Sequence, residues 1–117
     1  MLYTYRFSAI YYFMSRKQRI TDLLIKHLQP SVLSIEDETH LHHVPISGES
    51  HFKIVSVSKR FVSMKLLERH RYINNLLIKE FSQGLHALSL KLYTPDEWEK
   101  NNAPLNSPPC LDGYDKQ

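Results

Sequence analysis

A helix-forming segment lies between two strand-forming segments in the second half of the chain, and this order strongly limits the fold. The segment "HFKIVSVS" (51–58) is rich in β-branched and aromatic residues, and "LHALSLKLY" (85–93) alternates between two faces. Between them, apolar residues recur at helical spacing at Leu66, Leu67, Ile73, Leu77 and Phe81. A strand, a helix and a strand in this order form a crossover unit, which pairs its strands in parallel with a right-handed connection.

The first half of the chain predicts a helix and one more strand. Ser15 is a typical helix N-cap, and the apolar residues that follow it at helical spacing end before Pro30. The short segment "SVLSIED" (31–37) predicts a strand, and the loop after it contains proline and glycine. A loop between two neighbouring strands most simply joins an antiparallel pair.

The end of the domain predicts a helix that begins with a capping box. Thr94 is the expected N-cap, Pro95 takes the first helical position, and Glu97 completes the capping box. The complete order is α-β-β-α-β-α. We therefore predict an α+β fold with a small mixed three-stranded sheet and with helices packed on one face.

The length and composition fit one globular domain with an extension at each end. The chain has 117 residues, of which 42% are hydrophobic and 23% are charged. We assign residues 15–103 to the domain and residues 104–117 to a flexible tail. Residues 1–14 form an N-terminal extension, which we expect to be disordered or to precede a natural start near Met14.

The sequence disfavours several classes of protein. No apolar run reaches the roughly 18 residues that a membrane span needs. Cys110 is the only cysteine, which excludes an internal disulfide and a cysteine-only metal site within one chain. No nucleophile–base pair or phosphate-binding glycine loop stands out, so we expect a protein that is not an enzyme. We expect a cytoplasmic location, or an organellar one if residues 1–13 act as a presequence.

Histidines concentrate around the loop between the first two predicted strands. This loop and the strand start after it contain His40, His42, His43 and His51, and His86 lies at the start of the third strand. Because parallel strands begin at the same edge of a sheet, we expect the loop histidines, His51 and His86 to gather there. Imidazole is the commonest metal ligand, and two or three imidazoles would suit zinc, copper or iron. An open site of this kind predicts that a partner supplies the remaining ligands.

Simpler roles for these histidines stay open at this point. A histidine in a polar loop is commonly just solvated, which applies to His40 and His43. His51 is placed to cap the end of a strand, and His86 shares its predicted face with three leucines, so a core position is an alternative. His70 faces the apolar stripe of the middle helix, where packing is its expected role.

Four sequence strings together resemble the BolA-like proteins. They are "DETHLHHVPISGESHFKIVSVSKRF", "LLERHRYINNLL", "LHALSLKLYTPDEW" and "SPPC", and the resemblance extends over residues 16–110. It implies a fold similar to the type II KH arrangement. It also implies that the chain binds a monothiol glutaredoxin and forms a heterodimer around a shared 2Fe–2S cluster.

The resemblance also implies which residues hold the cluster. His86 in "LHAL" falls on one ligand of the family, His42 falls on the second ligand in the loop, and His51 falls on a recurrent third histidine that assists. The glutaredoxin and glutathione supply the other ligands, so no cofactor is expected in the isolated chain, which would be a monomer or a weak homodimer. Ser63 departs from the family, which commonly has glycine there, so we expect this turn to differ.

A nucleic-acid-binding transcriptional regulator is the alternative function. The type II KH-like fold is a platform for RNA or DNA, and the net charge is +3. The basic residues of the middle helix and the segment before it, with the neighbouring histidine, are the candidate contacts: Lys65, Arg69, His70, Arg71 and Lys79. However, KH domains clamp the nucleic-acid backbone with a G-x-x-G loop, and this chain has no such loop.

Overall fold

The computed structural model describes residues 13–39 and 48–102 and shows an α+β domain. Within these residues the elements follow in the order α1 (Arg16–Leu28), β1 (Val32–Asp37), β2 (His51–Val57), a 3₁₀ turn (Lys59–Phe61), α2 (Leu66–Leu76), α3 (Ile78–Ser82), β3 (Ala87–Tyr93) and α4 (Pro95–Asn102). The predicted α+β fold and the order of its strands are therefore confirmed. The middle helix differs in one respect, since it is divided at Leu77 into α2 and α3. The proposed extension and tail lie mostly outside the described residues.

The sheet is mixed and has the order β1-β2-β3 in the described part of the chain. β1 pairs with β2 in antiparallel, with Asp37 opposite Phe52. β2 pairs with β3 in parallel, with His51 opposite Ala87. The end of β1 and the starts of β2 and β3 consequently lie side by side. We call this side of the sheet, marked by Asp37, His51 and Ala87, the histidine edge.

The hydrophobic core lies between one face of the sheet and the helices. Alternation along β2 directs Phe52 and Ile54 to this face, and both are almost fully buried. The helices cover them with apolar residues at helical spacing, which are Ile20, Leu24 and Leu28 of α1 and Ile73 at the centre of α2. Each fully buried side chain of this size contributes about 1.5–3 kcal/mol to stability. No helix within residues 13–39 and 48–102 has the length and apolar character needed to cross a bilayer.

Two helix starts follow the predicted capping chemistry. The Ser15 hydroxyl accepts a hydrogen bond from the Gln18 backbone N–H at 3.1 Å, which caps α1. At α4, the Thr94 hydroxyl accepts from the Glu97 N–H at 3.2 Å, and the Glu97 carboxylate accepts from the Thr94 N–H at 2.8 Å. This reciprocal pair is the predicted capping box.

The apolar stripe of α2 is shorter than the sequence predicted. Leu66 and Leu67 are 43% and 60% exposed, whereas Ile73 and Leu77 are buried. The side chain one turn before Ile73 that enters the protein is instead Arg69, which is only 5% exposed. The buried stripe therefore runs through residues 69, 73 and 77, and it includes a charged residue that hydropathy alone assigns to the surface.

Arg69 tolerates burial because each of the three nitrogens of its guanidinium group donates to an acceptor. It donates to the carbonyl oxygens of Met64 and Leu92, both at 3.0 Å, and binds the Glu97 carboxylate through two nitrogens at 2.7 and 3.1 Å. The hydrogen bond from Arg69 is the main reason that the pKa of Glu97 lies below its ordinary value. Arg69 therefore joins α2, β3 and α4. The sequence pattern places Arg69 among the basic residues predicted to contact nucleic acid. Its burial corrects that prediction.

The turn at Ser63 keeps a left-handed backbone although the residue is not glycine. Ser63 has φ = 77°. The turn is closed on both sides by the Phe61 N–H, which donates to Ser58 O, and by the Met64 N–H, which donates to Phe61 O at 3.0 Å. The serine that was expected to alter this turn thus adopts the left-handed conformation that glycine adopts more easily. The closing hydrogen bonds and the burial of Phe61 hold the strained conformation.

We expect Ser63→Gly to raise the free energy of unfolding by about 1 kcal/mol, because glycine removes the Cβ contact that disfavours positive φ. Urea denaturation measures this change. Val62→Gly is the matched control, since Val62 is exposed and has φ = −61°, and it should lower stability by roughly 0.5–1 kcal/mol. Equal losses in both variants would contradict a strained Ser63.

Candidate metal centre at the histidine edge

His51 and His86 lie next to each other at the histidine edge. Their ring centroids are 5.8 Å apart and the ring planes are inclined by 31°. The backbone causes this approach, because Ser50 O accepts hydrogen bonds from the N–H groups of His86 and Ala87 at 2.7 and 3.1 Å. His86 precedes β3 and is exposed, so the alternative of a core histidine is removed. The structure therefore brings together two of the three predicted metal ligands.

The loop that contains the third predicted ligand begins and ends at this edge. His42, with His40 and His43, lies outside the described residues, because residues 40–47 are not described. The residues on either side are held together: the Asp37 carboxylate accepts from the N–H groups of Thr39 at 2.9 Å and of Glu49 at 3.0 Å. The described residues on both sides of the loop thus lie at the histidine edge.

The imidazole of His51 is oriented by its neighbour in sequence. The Ser50 hydroxyl and His51 Nδ1 are 2.8 Å apart. Ser50 is itself buried, and its backbone N–H donates to the Thr39 hydroxyl at 3.0 Å. Because Nδ1 takes part in this contact, Nε2 is the nitrogen through which His51 would bind a metal.

The described part of the histidine edge offers two imidazoles and no complete ligand set. Among the described residues, no group of three or more histidine, cysteine, aspartate or glutamate side chains is arranged to hold a metal ion. Two neutral nitrogen donors suit iron, copper or zinc, and such a half-site needs ligands from the 40–47 loop or from another molecule. The donor chemistry fits the prediction of a site that a partner completes.

A cluster of charged residues lies behind the histidine edge and was not found from the sequence. Glu80 of α3 is 2% exposed and binds two arginines of α1. Arg16 Nε lies 2.9 Å from Glu80 Oε1, and Arg19 Nε lies 2.7 Å from Glu80 Oε2. A signal was present, because Glu80 follows Leu77 by three residues on the core-facing side of the helical segment.

The two arginines decide the protonation state of Glu80. Burial by itself raises the pKa of this carboxyl group, but the hydrogen bonds and charges of Arg19 and Arg16 outweigh it, so the pKa is lower than its ordinary value. Glu80 is therefore ionised when the protein is folded at neutral pH.

The other residues predicted to contact nucleic acid lie in α2 and α3 and at Lys65, directly before α2. Lys65, Arg71 and Lys79 are exposed, whereas His70 is half-buried. They are carried by the segment 65–79 and not by the strand starts that form the histidine edge. The metal-ligand and nucleic-acid predictions thus concern different parts of the domain.

Comparison with known proteins gives similar results from sequence and from structure. Residues 24–97 match the family model described as BolA-like protein. A Haemophilus influenzae protein named DNA-binding transcriptional regulator BolA is 45% identical over 89 residues, covering 76% of this chain and 86% of that protein. The Escherichia coli protein of the same name is 44% identical, covering 83% and 93%. Among solved structures, the BolA domain of SufE1 from Arabidopsis thaliana has a TM-score of 0.68 at 42% identity, covering 73% and 98%.

We expect Glu80→Gln to lower the free energy of unfolding by about 3 kcal/mol at pH 7, because two guanidinium groups whose side chains are only 13% exposed lose their carboxylate. A carboxyl group with a lowered folded-state pKa stabilises above its unfolded-state pKa, and this stability is lost as the pH falls through the folded value. The difference between the two proteins should therefore shrink below the ordinary value of 4.5.

Urea denaturation across this pH range measures both effects. Glu99→Gln is the matched control, because Glu99 is an exposed carboxylate of α4 and its substitution should change stability by less than about 0.5 kcal/mol. A loss in Glu80→Gln no larger than in this control would contradict the buried ion pairs.

Proposed function

Because the chain belongs to the BolA-like protein family, we propose that it is an adaptor that binds a monothiol glutaredoxin and shares a 2Fe–2S cluster with it. His86 and His42 are the proposed ligands from this chain, and His51 assists them. The glutaredoxin cysteine and the glutathione thiolate complete the coordination. The complex would act in iron–sulfur cluster trafficking or in the regulation of iron.

The close approach of His51 and His86 is the observation that supports this proposal most. Their rings are 5.8 Å apart at the edge where the loop with His42 begins and ends. The His51 and His86 imidazoles thus lie on one side of the sheet, which suits an interface with a second protein. An isolated catalytic pocket is not required for this role.

Histidine ligands give such a cluster a distinct chemistry. Replacing two thiolates by neutral imidazoles on one iron lowers the negative charge and raises the reduction potential, as in Rieske centres. The contact between Ser50 and His51 Nδ1 supports the same function, because a hydrogen bond to one ring nitrogen orients the other nitrogen. In this proposal the chain contributes the imidazole ligands and their orientation, and the glutaredoxin and glutathione contribute one thiolate each.

We expect the chain, mixed with a monothiol glutaredoxin, glutathione, iron and sulfide, to give a coloured heterodimer with the spectra of a histidine-ligated cluster. His86→Ala should abolish these spectra and His42→Ala should weaken them strongly, because each removes a proposed ligand. His51→Ala should weaken them less, because His51 only assists the ligands. Size-exclusion chromatography with visible circular dichroism and electron paramagnetic resonance measures the outcome.

His27→Ala is the control for this experiment, since His27 lies in the last turn of α1 and not at the histidine edge. It should leave the spectra unchanged. Unchanged spectra in both His86→Ala and His42→Ala would show that the ligand assignment is wrong.

Nucleic-acid binding is the second candidate, and the names of two bacterial relatives favour it. Both are called DNA-binding transcriptional regulators, and both are more than 40% identical to this chain. Lys65, Arg71 and Lys79 are exposed, so they are available to contact phosphates. Arg69 is not available, because its guanidinium group is bound to Glu97 and to two carbonyl groups. This function does not exclude the first, since the histidine edge is formed by other residues.

If these three cations bind phosphates, we expect the logarithm of the DNA association constant to fall with the logarithm of salt concentration with a slope of about −2.7. Lys65→Gln and Arg71→Gln should each make the slope shallower by about 1, which fluorescence anisotropy on a labelled duplex measures. Lys100→Gln on α4 is the control and should leave the slope unchanged. The same slope in all variants would argue against a role for these residues.

A further inference from the structure

We propose that Arg16 is a positioning residue for the metal centre, which holds the segments before His51 and His86 at a fixed separation. The inference rests on the function proposed above and deepens it. Arg16 is not a ligand. Its effect on the two imidazoles passes through the backbone that carries them.

The guanidinium group of Arg16 joins the two chain segments that lead into the parallel strands. Nη1 donates to the carbonyl oxygen of Glu49, two residues before His51. Nη2 donates to the carbonyl oxygen of Gln83 at 2.6 Å, three residues before His86. One planar group thus bridges the two backbone segments that lead to the histidine edge.

The third donor of the Arg16 guanidinium group, Nε, connects the two backbone segments to α3. Arg16 Nε donates to Glu80 Oε1 at 2.9 Å, and Glu80 is held from its other side by Arg19. The Arg16 side chain is only 13% exposed, so its conformation is restricted by its surroundings. A guanidinium group has rigid, diverging donors, whereas a lysine ammonium is a single point with a flexible stem. Lysine would retain the charge near Glu80 without spanning the two carbonyl groups.

The segment before His51 has a backbone conformation that needs such support. Gly48 and Glu49 have φ values of 107° and 61°, and a left-handed backbone is unfavourable for a residue with a side chain. Glu49 is held at each of its polar groups. Its carbonyl accepts from Arg16, its N–H donates to Asp37, and its carboxylate accepts from the Lys17 N–H at 3.1 Å. Strained residues persist where the surrounding structure determines them in this way.

The segment before His86 is also shaped around Arg16. Gly84 has φ = 117°, and a Cβ atom at this position would lie 3.1 Å from Arg16 Nη2. The backbone therefore approaches the guanidinium group as closely as a glycine allows. The turns before the two parallel strands both depend on the same side chain.

Arg16→Lys and Arg19→Lys form a matched pair for testing this inference. Both arginines bind Glu80, but in the described structure only Arg16 also binds the segments before His51 and His86. We expect similar losses of thermal stability in both variants. The nuclear Overhauser effect between the ring protons of His51 and His86, measured in the free protein, should fall at least threefold in Arg16→Lys and stay unchanged in Arg19→Lys.

The complex with glutaredoxin gives a second readout. Arg16→Lys should lower the yield of histidine-ligated cluster at a fixed glutaredoxin concentration by about tenfold, and Arg19→Lys should leave it within twofold of the wild type. If the nuclear Overhauser effect between the His51 and His86 ring protons is the same in Arg16→Lys and Arg19→Lys, the inference is wrong. Arg16 then has a structural role only. If the wild type forms no cluster complex, the proposed function fails, and the ring-proton comparison still decides the role of Arg16.

If circular dichroism shows that the Arg16→Lys protein is unfolded, Gly84→Ala is the test variant instead. This variant keeps both arginines and pushes a methyl group against Nη2. We expect it to reduce the ring-proton effect between His51 and His86 at least twofold. An unchanged effect in a folded Gly84→Ala protein would overturn the inference.

Discussion

The parallel pairing of β2 with β3 is the constraint on which the arrangement of the domain depends. Parallel strands begin at the same edge, so the register of His51 with Ala87 places His86 beside His51. The Ser50 carbonyl oxygen strengthens the pairing at this edge, because it accepts hydrogen bonds from the backbone N–H groups of His86 and Ala87. The antiparallel partner β1 ends at the same edge and delivers the loop that carries three more histidines. The position of the proposed metal centre is thus a consequence of topology.

Ion pairs that each include a buried residue connect the helices, which the sheet does not join. Arg16 and Arg19 join α1 to α3 through Glu80, and Arg69 joins α2 to α4 through Glu97. Removing a charge from water is costly, and buried pairs are stable only when further hydrogen bonds satisfy their donors and acceptors. Arg16 and Arg69 meet this condition by binding backbone carbonyl groups as well as a carboxylate. This gives each arginine a specific geometric role in addition to its charge.

The two candidate functions use different surfaces of one small domain. The histidine edge offers neutral nitrogen donors, which suit a metal shared with a partner protein. The segment 65–79 offers exposed cations, which suit phosphate groups. Since the Arg69 guanidinium group binds Glu97, the second surface has one accessible cation fewer than the sequence indicated. The two proposed interactions would therefore use different residues of the domain.

The sequence by itself determined the order of the elements, the caps at Ser15 and Thr94 and the mixed pairing of the strands, because periodicity and capping are local patterns. It also determined that His51 and His86 lie at the starts of two parallel strand segments, although β3 itself begins one residue after His86. Only the tertiary structure decided that Arg69 and Glu80 are buried, since their partners lie 28 and 64 residues away in the chain. The position of Arg16 between two carbonyl groups belongs to the same class. It depends on contacts between distant segments, which no local pattern of residue types records.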